Sequence, residues 1–349
     1  MTSSTDPRHR ARALALPIVA LIAAACSSTA PTAPFSLVSD GRPLMGTVLE
    51  LSVVARDAAA AREWIADAFE EVGRLEALLS RFDAESDVSR LGRAAGQGSL
   101  SVDPATRDLL DRALKGSALT GGAFDPTVGP LIELWERTAR EGRVPAPREL
   151  EAARERVGAQ LVRLPSEASA ELRRAGMSID LGGIAKGYAL DRLATSLREA
   201  GAKGALLSFG QSSAWALGSP PDAPRWKLLL RAPSGGWAGV VELRDQAMSM
   251  SSSLGQWSEI EGRRYGHVVD PRSGRLLERG IEAAVVGPDA TWAEILSTAL
   301  LVLAEGDGLA LMERLEGCEA MLIDAEGRVA MTSGWESATR FRGVDLPAQ

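Results

Sequence analysis

Apolar residues recur at helical spacing in several parts of the chain. In residues 58–79 they fall on one face of a helix, at Ile65, Phe69, Val72 and Leu79. This periodicity predicts an amphipathic helix. Start and stop signals predict further helices, from Asp103–Pro104 onward and over about 184–200, 289–304 and 307–315. One short helix is expected within the Arg-, Glu- and Pro-rich residues 141–176.

Other segments alternate between apolar and polar residues, a pattern typical of strands. Residues 44–54 alternate and are rich in β-branched side chains, and short runs of the same kind dominate residues 204–287. Residues 320–332 predict a closing hairpin. Because strands and helices do not alternate strictly, the chain is expected to adopt an α+β fold with mixed or antiparallel sheets packed against helices.

The first 25 residues have the pattern of an export signal. Three arginines precede the apolar run 13–25, which is too short to span a bilayer and leads directly into Cys26. The arrangement resembles a bacterial lipoprotein signal, in which the cysteine is lipidated. We therefore expect a signal peptide over 1–25, a flexible Ser/Thr/Pro-rich tether over 26–40 and one folded domain over 41–340. The protein would be anchored through Cys26 at the periplasmic face of a bacterial membrane; the alternative is simple secretion.

Charge and residue counts exclude two classes of function. The formal net charge is −7, and removal of the basic signal leaves −9 for residues 26–349. Such an acidic chain lacks the clustered Lys and Arg that nonspecific nucleic-acid binding needs, so no nucleic-acid partner is expected. Two Cys and two His are too few for a zinc site built on those residues.

Candidate chemistry lies in three segments rich in Gly and Asp, residues 121–131, 180–191 and 265–274. Neither a dinucleotide-binding GxGxxG nor a phosphate-binding GxxxxGK[ST] motif occurs. Taken alone, each segment is consistent with a simple turn. However, the second contains one of four lysines, and the third contains the single histidine beyond the signal, His267.

Together these segments resemble the FAD:protein FMN transferase family, the ApbE-type periplasmic lipoproteins. The resemblance rests on DLGGIAKGYA at 180–189, on HVVDPRSG at 267–274 and on GAFDPTVGPL at 122–131. Met45-Gly46-Thr47 and the segments 79–82 and 86–91 precede them in the family's order. The similarity extends over roughly residues 40–332, essentially the whole mature chain.

The resemblance implies an ApbE-like fold and an Mg²⁺-dependent transferase. Such an enzyme cleaves FAD, attaches FMN through a phosphoester to a Thr or Ser of a partner protein, and releases AMP. The residues carried over as FAD contacts are Met45, Phe82, Ala123, Phe124, Asp125, Asp180, Lys186 and Val269. Two alternatives remain: an FAD pyrophosphatase that yields FMN and AMP, and a lipoprotein that binds FAD without turnover.

A metal site is predicted on the helix that begins near residue 289. Glu294, Ser297 and Thr298 are spaced so that their oxygens share one face, and Mg²⁺ accepts such hard ligands beside substrate phosphates. The resemblance adds the carbonyl of Gly183. It also shows two departures, since relatives generally have Asp at the position of Glu294 and Gly at that of Gln211. The alternative is a solvated helix face.

His267 is the candidate catalytic base. An acceptor hydroxyl must lose a proton near neutral pH, and imidazole titrates in that range. Tyr265 and Asp270 are close enough in sequence to orient the ring. The alternative is a histidine that caps a turn.

Overall fold

The computed structural model describes residues 35–210, 212–233 and 235–343. The helices are α1 (Ala58–Leu79), α2 (Asp87–Arg93), α3 (Pro104–Leu119), α4 (Gly129–Arg140), α5 (Pro147–Arg154), α6 (Ala185–Glu199), α7 (Ala290–Met312) and α8 (Trp335–Thr339). The strands are β1 (Ser36–Leu44), β2 (Thr47–Ala55), β3 (Leu100–Ser101), β4 (Val162–Ser166), β5 (Ser169–Leu172), β6 (Gly204–Phe209), β7 (Ser213–Gly218), β8 (Trp226–Arg231), β9 (Trp237–Leu243), β10 (Gln246–Ser252), β11 (Trp257–Ile260), β12 (Arg263–Gly266), β13 (Ile281–Gly287), β14 (Glu319–Asp324), β15 (Val329–Met331) and β16 (Arg342–Gly343).

An antiparallel sheet of eight strands, in the order β1-β2-β6-β7-β10-β13-β14-β15, organises the fold. Alternate side chains of each strand enter different cores: Ala283 and Val285 pack with α7, whereas Ala284 and Val286 pack with the smaller sheet β16-β9-β8. Helices α1, α6 and α7 therefore cover one face, and the second sheet covers the other. The predicted α+β class is confirmed.

Several predicted elements have different boundaries in the structure. The strand expected over 44–54 is divided by a turn at Met45 and Gly46, whose φ angles are +49° and +72°. Residues 36–40, assigned to the tether from composition, instead belong to β1, and β16 extends the domain past residue 340. Pairing with β2 makes these residues a strand. Because most of their side chains are exposed, the sequence shows no hydrophobic alternation that would have predicted it.

The two helices predicted over 289–304 and 307–315 form one element, α7, which is sharply bent. A Cβ atom at Gly308 would lie 2.7 Å from Cδ2 of Leu300 and 3.9 Å from its Cα. Residues eight apart in a straight helix are about 12 Å apart, so the chain folds back between the two positions. The absence of side chains at Gly306 and Gly308 permits this bend.

Three helices, α2, α4 and α8, were not predicted. Asp125-Pro126 and Gly129-Pro130 favour turns at the start of α4, whereas α2 and α8 have only seven and five residues. The signal peptide, Cys26 and the departure at Gln211 lie outside the described residues. No helix in the described ranges is both long and apolar enough to cross a membrane.

Candidate active site

A cavity of about 750 Å³ brings the predicted site residues together. The predicted residues that line it are Met45, Phe82, Ala123, Phe124, Asp125, Asp180, Gly183, Lys186, His267, Val269, Glu294 and Thr298. They come from loops and element ends far apart in sequence. Ser297 does not line the cavity, as its contacts below explain.

The segment before α6 forms one wall of the cavity. Asp180 accepts a hydrogen bond from the amide of Gly182 (2.8 Å) and donates its own amide to the Pro126 carbonyl (2.8 Å). Ile184, the N-cap residue of α6, makes no side-chain hydrogen bond to the first turn, in which Lys186 lies. The positive end of the helix dipole and an ammonium group together favour an anionic ligand such as a pyrophosphate.

Asp125 holds the neighbouring loop in place. One carboxylate oxygen accepts from the amide (2.8 Å) and the hydroxyl (2.6 Å) of Thr127, and the other accepts from the amide of Ala159 (3.0 Å). Ala123 and Phe124 beside it are buried. This segment therefore shapes the wall through its backbone and apolar surface, with both Asp125 oxygens already bonded.

Phe82 presents an aromatic surface to the cavity. Its ring is 82% exposed, and the guanidinium of Arg81 lies 4.2 Å from the ring centroid. Arg81 also pairs with Asp180 (Nε–Oδ2, 3.1 Å) and with Glu136 (Nη2–Oε1, 2.5 Å). An open ring held beside a cation is suited to stacking against a flat heterocycle.

Glu294 and Thr298 stand one turn apart on α7, as predicted. Glu294 is only 3% exposed, and its Oε2 accepts the amide of Gly187 (2.8 Å) while its Oε1 accepts the hydroxyl of Ser213. The interpretation of this stripe as a solvated helix face is therefore wrong. Thr298 lies across from Gly183, since a Cβ placed on that glycine would be 3.5 Å from the Thr298 hydroxyl.

Ser297 turns away from the cavity. Its buried hydroxyl lies 3.0 Å from that of Ser249 and 2.8 Å from that of Ser251, both on β10. Thus the structure groups two of the three predicted α7 oxygens at the cavity, while the third joins the helix to the sheet.

The oxygen ligands at this wall fit a magnesium ion that takes its remaining ligands from water and from substrate phosphates. The described residues contain no group of three His, Cys, Asp or Glu side chains that would hold a metal by themselves. They do offer the carboxylate of Glu294, the hydroxyl of Thr298 and the carbonyl of Gly183. Each Glu294 oxygen accepts one hydrogen bond and keeps a second lone pair. Mg²⁺ commonly takes one or two carboxylates and fills its remaining positions with water and phosphate oxygens.

His267 faces the cavity with a defined tautomer. Its Nδ1 lies 3.2 Å from the carbonyl oxygen of Gln256. A carbonyl only accepts, so Nδ1 carries the hydrogen and Nε2 keeps its lone pair in the neutral ring. The surrounding protein and, to a lesser extent, the positive charge of Lys186 lower the pKa of His267, although the Gln256 hydrogen bond opposes this.

The expected partners of His267 are engaged elsewhere. Tyr265 packs against Trp135 with ring centroids 5.5 Å apart, and Asp270 pairs with Arg272 at 3.0 Å. Gln256, which precedes β11, orients the imidazole instead. The difference arises because Tyr265 lies on β12, whereas His267 and Asp270 lie in the segment after that strand, where the chain no longer alternates between two faces.

The polar cavity residues that were not predicted include Arg81, Ser213, Arg231 and Glu282. Arg81 directly precedes Phe82, and this adjacency was a usable signal. The others lie on β7, β8 and β13, which only the folded sheets bring together. Burial raises the pKa of Glu282, while a hydrogen bond from Ser252 and the charge of Arg231 oppose the increase.

Comparisons with known proteins agree with this arrangement. The model of the ApbE family matches residues 45–322. FAD:protein FMN transferase of Salmonella typhimurium is 28% identical over 308 residues, covering 86% of this chain and 87% of that protein. The corresponding protein of Treponema pallidum is 29% identical over 310 residues, covering 83% and 85%.

Solved structures show the same fold. The apo form of the flavinyl transferase ApbE of Pseudomonas stutzeri has a TM-score of 0.77 and 29% identity, covering 87% of this chain and 97% of that one. The ApbE protein of Thermotoga maritima has a TM-score of 0.79 and 27% identity, covering 86% and 99%. Because the family model matches most of its length, the chain belongs to the ApbE family.

Proposed function

We propose that this protein transfers FMN from FAD to a Thr or Ser hydroxyl of an acceptor protein and releases AMP. The observation that carries the proposal is the convergence of three groups in one cavity: the cationic start of α6, the oxygen donors of α7, and His267. Curated members of the family that match most of this chain are named FAD:protein FMN transferase.

The cavity offers a place for a flat ring and for the pyrophosphate of FAD. Phe82 provides an open face for a flat ring, and the first turn of α6 with Lys186 provides positive charge for the pyrophosphate. Met45, Ala123 and Val269 supply apolar and backbone surface between these positions. FAD is the substrate in this proposal.

The reaction is a phosphoryl substitution. The acceptor hydroxyl oxygen bonds to the phosphorus on the riboflavin side, and the bond from that phosphorus to the bridging oxygen breaks. AMP leaves with the electron pair, and the hydroxyl proton passes to Nε2 of His267. The tautomer set by Gln256 keeps that nitrogen unprotonated in the neutral ring.

Glu294, Thr298 and the carbonyl of Gly183 would hold Mg²⁺ beside the pyrophosphate. The ion, when bound, neutralises charge on the phosphate oxygens. Ser297 is assigned a supporting contact with β10 because its hydroxyl is bonded to two serines.

Mass spectrometry of an acceptor protein tests the proposal. After incubation with the enzyme, FAD and Mg²⁺, the acceptor is expected to gain the mass of one FMN less water at a Thr or Ser, with one AMP released per modification. Free FMN and AMP with an unmodified acceptor would indicate a pyrophosphatase. Intact FAD retained by the protein would indicate binding without turnover.

We also propose export and lipid anchoring through Cys26, supported by the arginines, apolar run and small residues before that cysteine. Cys26→Ser should abolish incorporation of a labelled fatty acid and release the protein from the membrane fraction. Equal labelling of the variant would contradict the anchor.

A further inference from the structure

The carboxylate of Glu294 is held by donors from two different elements. The amide of Gly187, in the first turn of α6, donates to Oε2, and the hydroxyl of Ser213, the first residue of β7, donates to Oε1. Both contacts are buried. A carboxylate that faces a substrate cavity is therefore tied to the neighbouring helix and to the central sheet.

Two hydrogen bonds, one to each oxygen, restrict the carboxylate more than a single hydrogen bond does. The terminal torsion of a glutamate is broad and roughly two-fold, so a single hydrogen bond to Oε2 still allows the plane of the group to turn. The second bond, from Ser213 to Oε1, fixes that plane. The lone pairs left for a ligand then point in defined directions relative to Thr298.

We propose that Ser213 is a positioning residue of the cation site, acting through Glu294. Ser213 is 2% exposed, and its hydroxyl reaches Glu294 rather than the opposite serine, Ser249, of the adjacent strand. The inference rests on the proposed function, because it uses the metal ligands named there.

The length of the acid at position 294 matters to this pairing. Aspartate is one methylene shorter, about 1.5 Å, and would not reach Ser213 and the Gly187 amide together from the same backbone position. The inference therefore links the glutamate, which departs from the family's usual aspartate, to the serine opposite it.

Mn²⁺ titration provides the test, with free Mn²⁺ followed by electron paramagnetic resonance and the Mn²⁺ dependence of flavin transfer measured in parallel. Ser213→Ala should weaken the apparent Mn²⁺ affinity about tenfold, the lower range for loss of a group that orients a metal ligand. Ser249→Ala is the matched control, because that residue is also 2% exposed but bonds to Ser297. Its affinity should stay within about twofold of wild type.

A double-variant comparison identifies the route of the effect. In a Glu294→Asp background the contact to Ser213 is already lost, so adding Ser213→Ala should change the Mn²⁺ affinity less than about twofold. Circular dichroism and thermal unfolding without metal check that each variant folds. If Ser213→Ala does not fold, Ser213→Cys, whose thiol is somewhat larger and a weaker donor, serves in its place.

The outcomes separate this inference from the proposed function. Unchanged Mn²⁺ affinity in Ser213→Ala, or an equal tenfold loss in both backgrounds, would overturn the role of Ser213 while leaving the metal site standing. Flavin transfer by the wild type with no divalent-metal requirement would instead overturn the metal site itself. Transfer that depends on Mn²⁺ and is sensitive to Ser213 only when Glu294 is present supports both.

Discussion

Replacement of His267 by asparagine is the most direct test of the proposed chemistry. An asparagine amide can still donate to the Gln256 carbonyl, which His267 meets at 3.2 Å, but it has no nitrogen that takes up a proton near neutral pH. The variant thus keeps the hydrogen bond that orients residue 267 and removes the basic nitrogen. Because the side chain faces the cavity and packs in no core, the fold should be unaffected.

The expected loss follows from the role of a general base. Such groups contribute about 10²- to 10⁴-fold in rate, equivalent to about 3–5 kcal/mol of activation free energy. FAD affinity, measured by quenching of flavin fluorescence, should change little. The loss should therefore appear in kcat and not in the dissociation constant for FAD.

The pH profile provides an independent check. The pKa of His267 is lowered below its ordinary value of 6.5, so the neutral base is the major form at and above that pH, and transfer by the wild type should be flat between pH 7 and 8. The variant should depend on hydroxide and gain about tenfold per pH unit. Lys186→Gln removes a positive charge that lowers this pKa, so the acidic limb should move to higher pH.

Transfer by His267→Asn at the wild-type rate across pH 6–8 would refute the assignment. Asp180 and Asp270 would then be the remaining carboxylates near the same motifs. Each is paired with an arginine, Asp180 with Arg81 and Asp270 with Arg272, so either would have to leave that partner to act.

Three further predictions concern the walls of the site. Thr298→Val keeps the volume and removes the hydroxyl, and it should abolish Mg²⁺-dependent transfer without changing thermal unfolding; retained activity at low Mg²⁺ would contradict the ligand role. Phe82→Ala should raise KM for FAD about tenfold, the effect of about 1.4 kcal/mol of lost stacking, with stability unchanged because the ring is 82% exposed; an unchanged KM would exclude stacking there. Gly187→Ala should destabilise the fold by about 3 kcal/mol or more, because the new Cβ would lie 2.4 Å from the carbonyl oxygen of Ala290. An unchanged melting temperature in calorimetry would disprove the close contact of α6 and α7.

The sequence determined the local features whose signals are short-range. The helix predicted over 58–79 has those limits in the structure, because its periodic apolar stripe and the Asp57 cap agree with the tertiary environment. Most predicted cavity residues were found through the resemblance of three segments to a known family. Those segments combine glycines, which let the backbone approach a ligand, with residue types that are rare in this chain, such as Lys186 and His267.

Tertiary structure decided the features that depend on distant partners. Packing of Gly308 against Leu300 bends α7, and pairing with β2 makes a strand of residues whose side chains carry no strand pattern. Ser297 has helical spacing that suits a ligand, yet the serines of β10 bind its hydroxyl. Ser213 has no motif of its own and becomes a partner of Glu294 only when β7 lies beside α7. Hydrogen bonds between residues 81 positions apart leave no periodicity in the sequence, so only the folded chain reveals them.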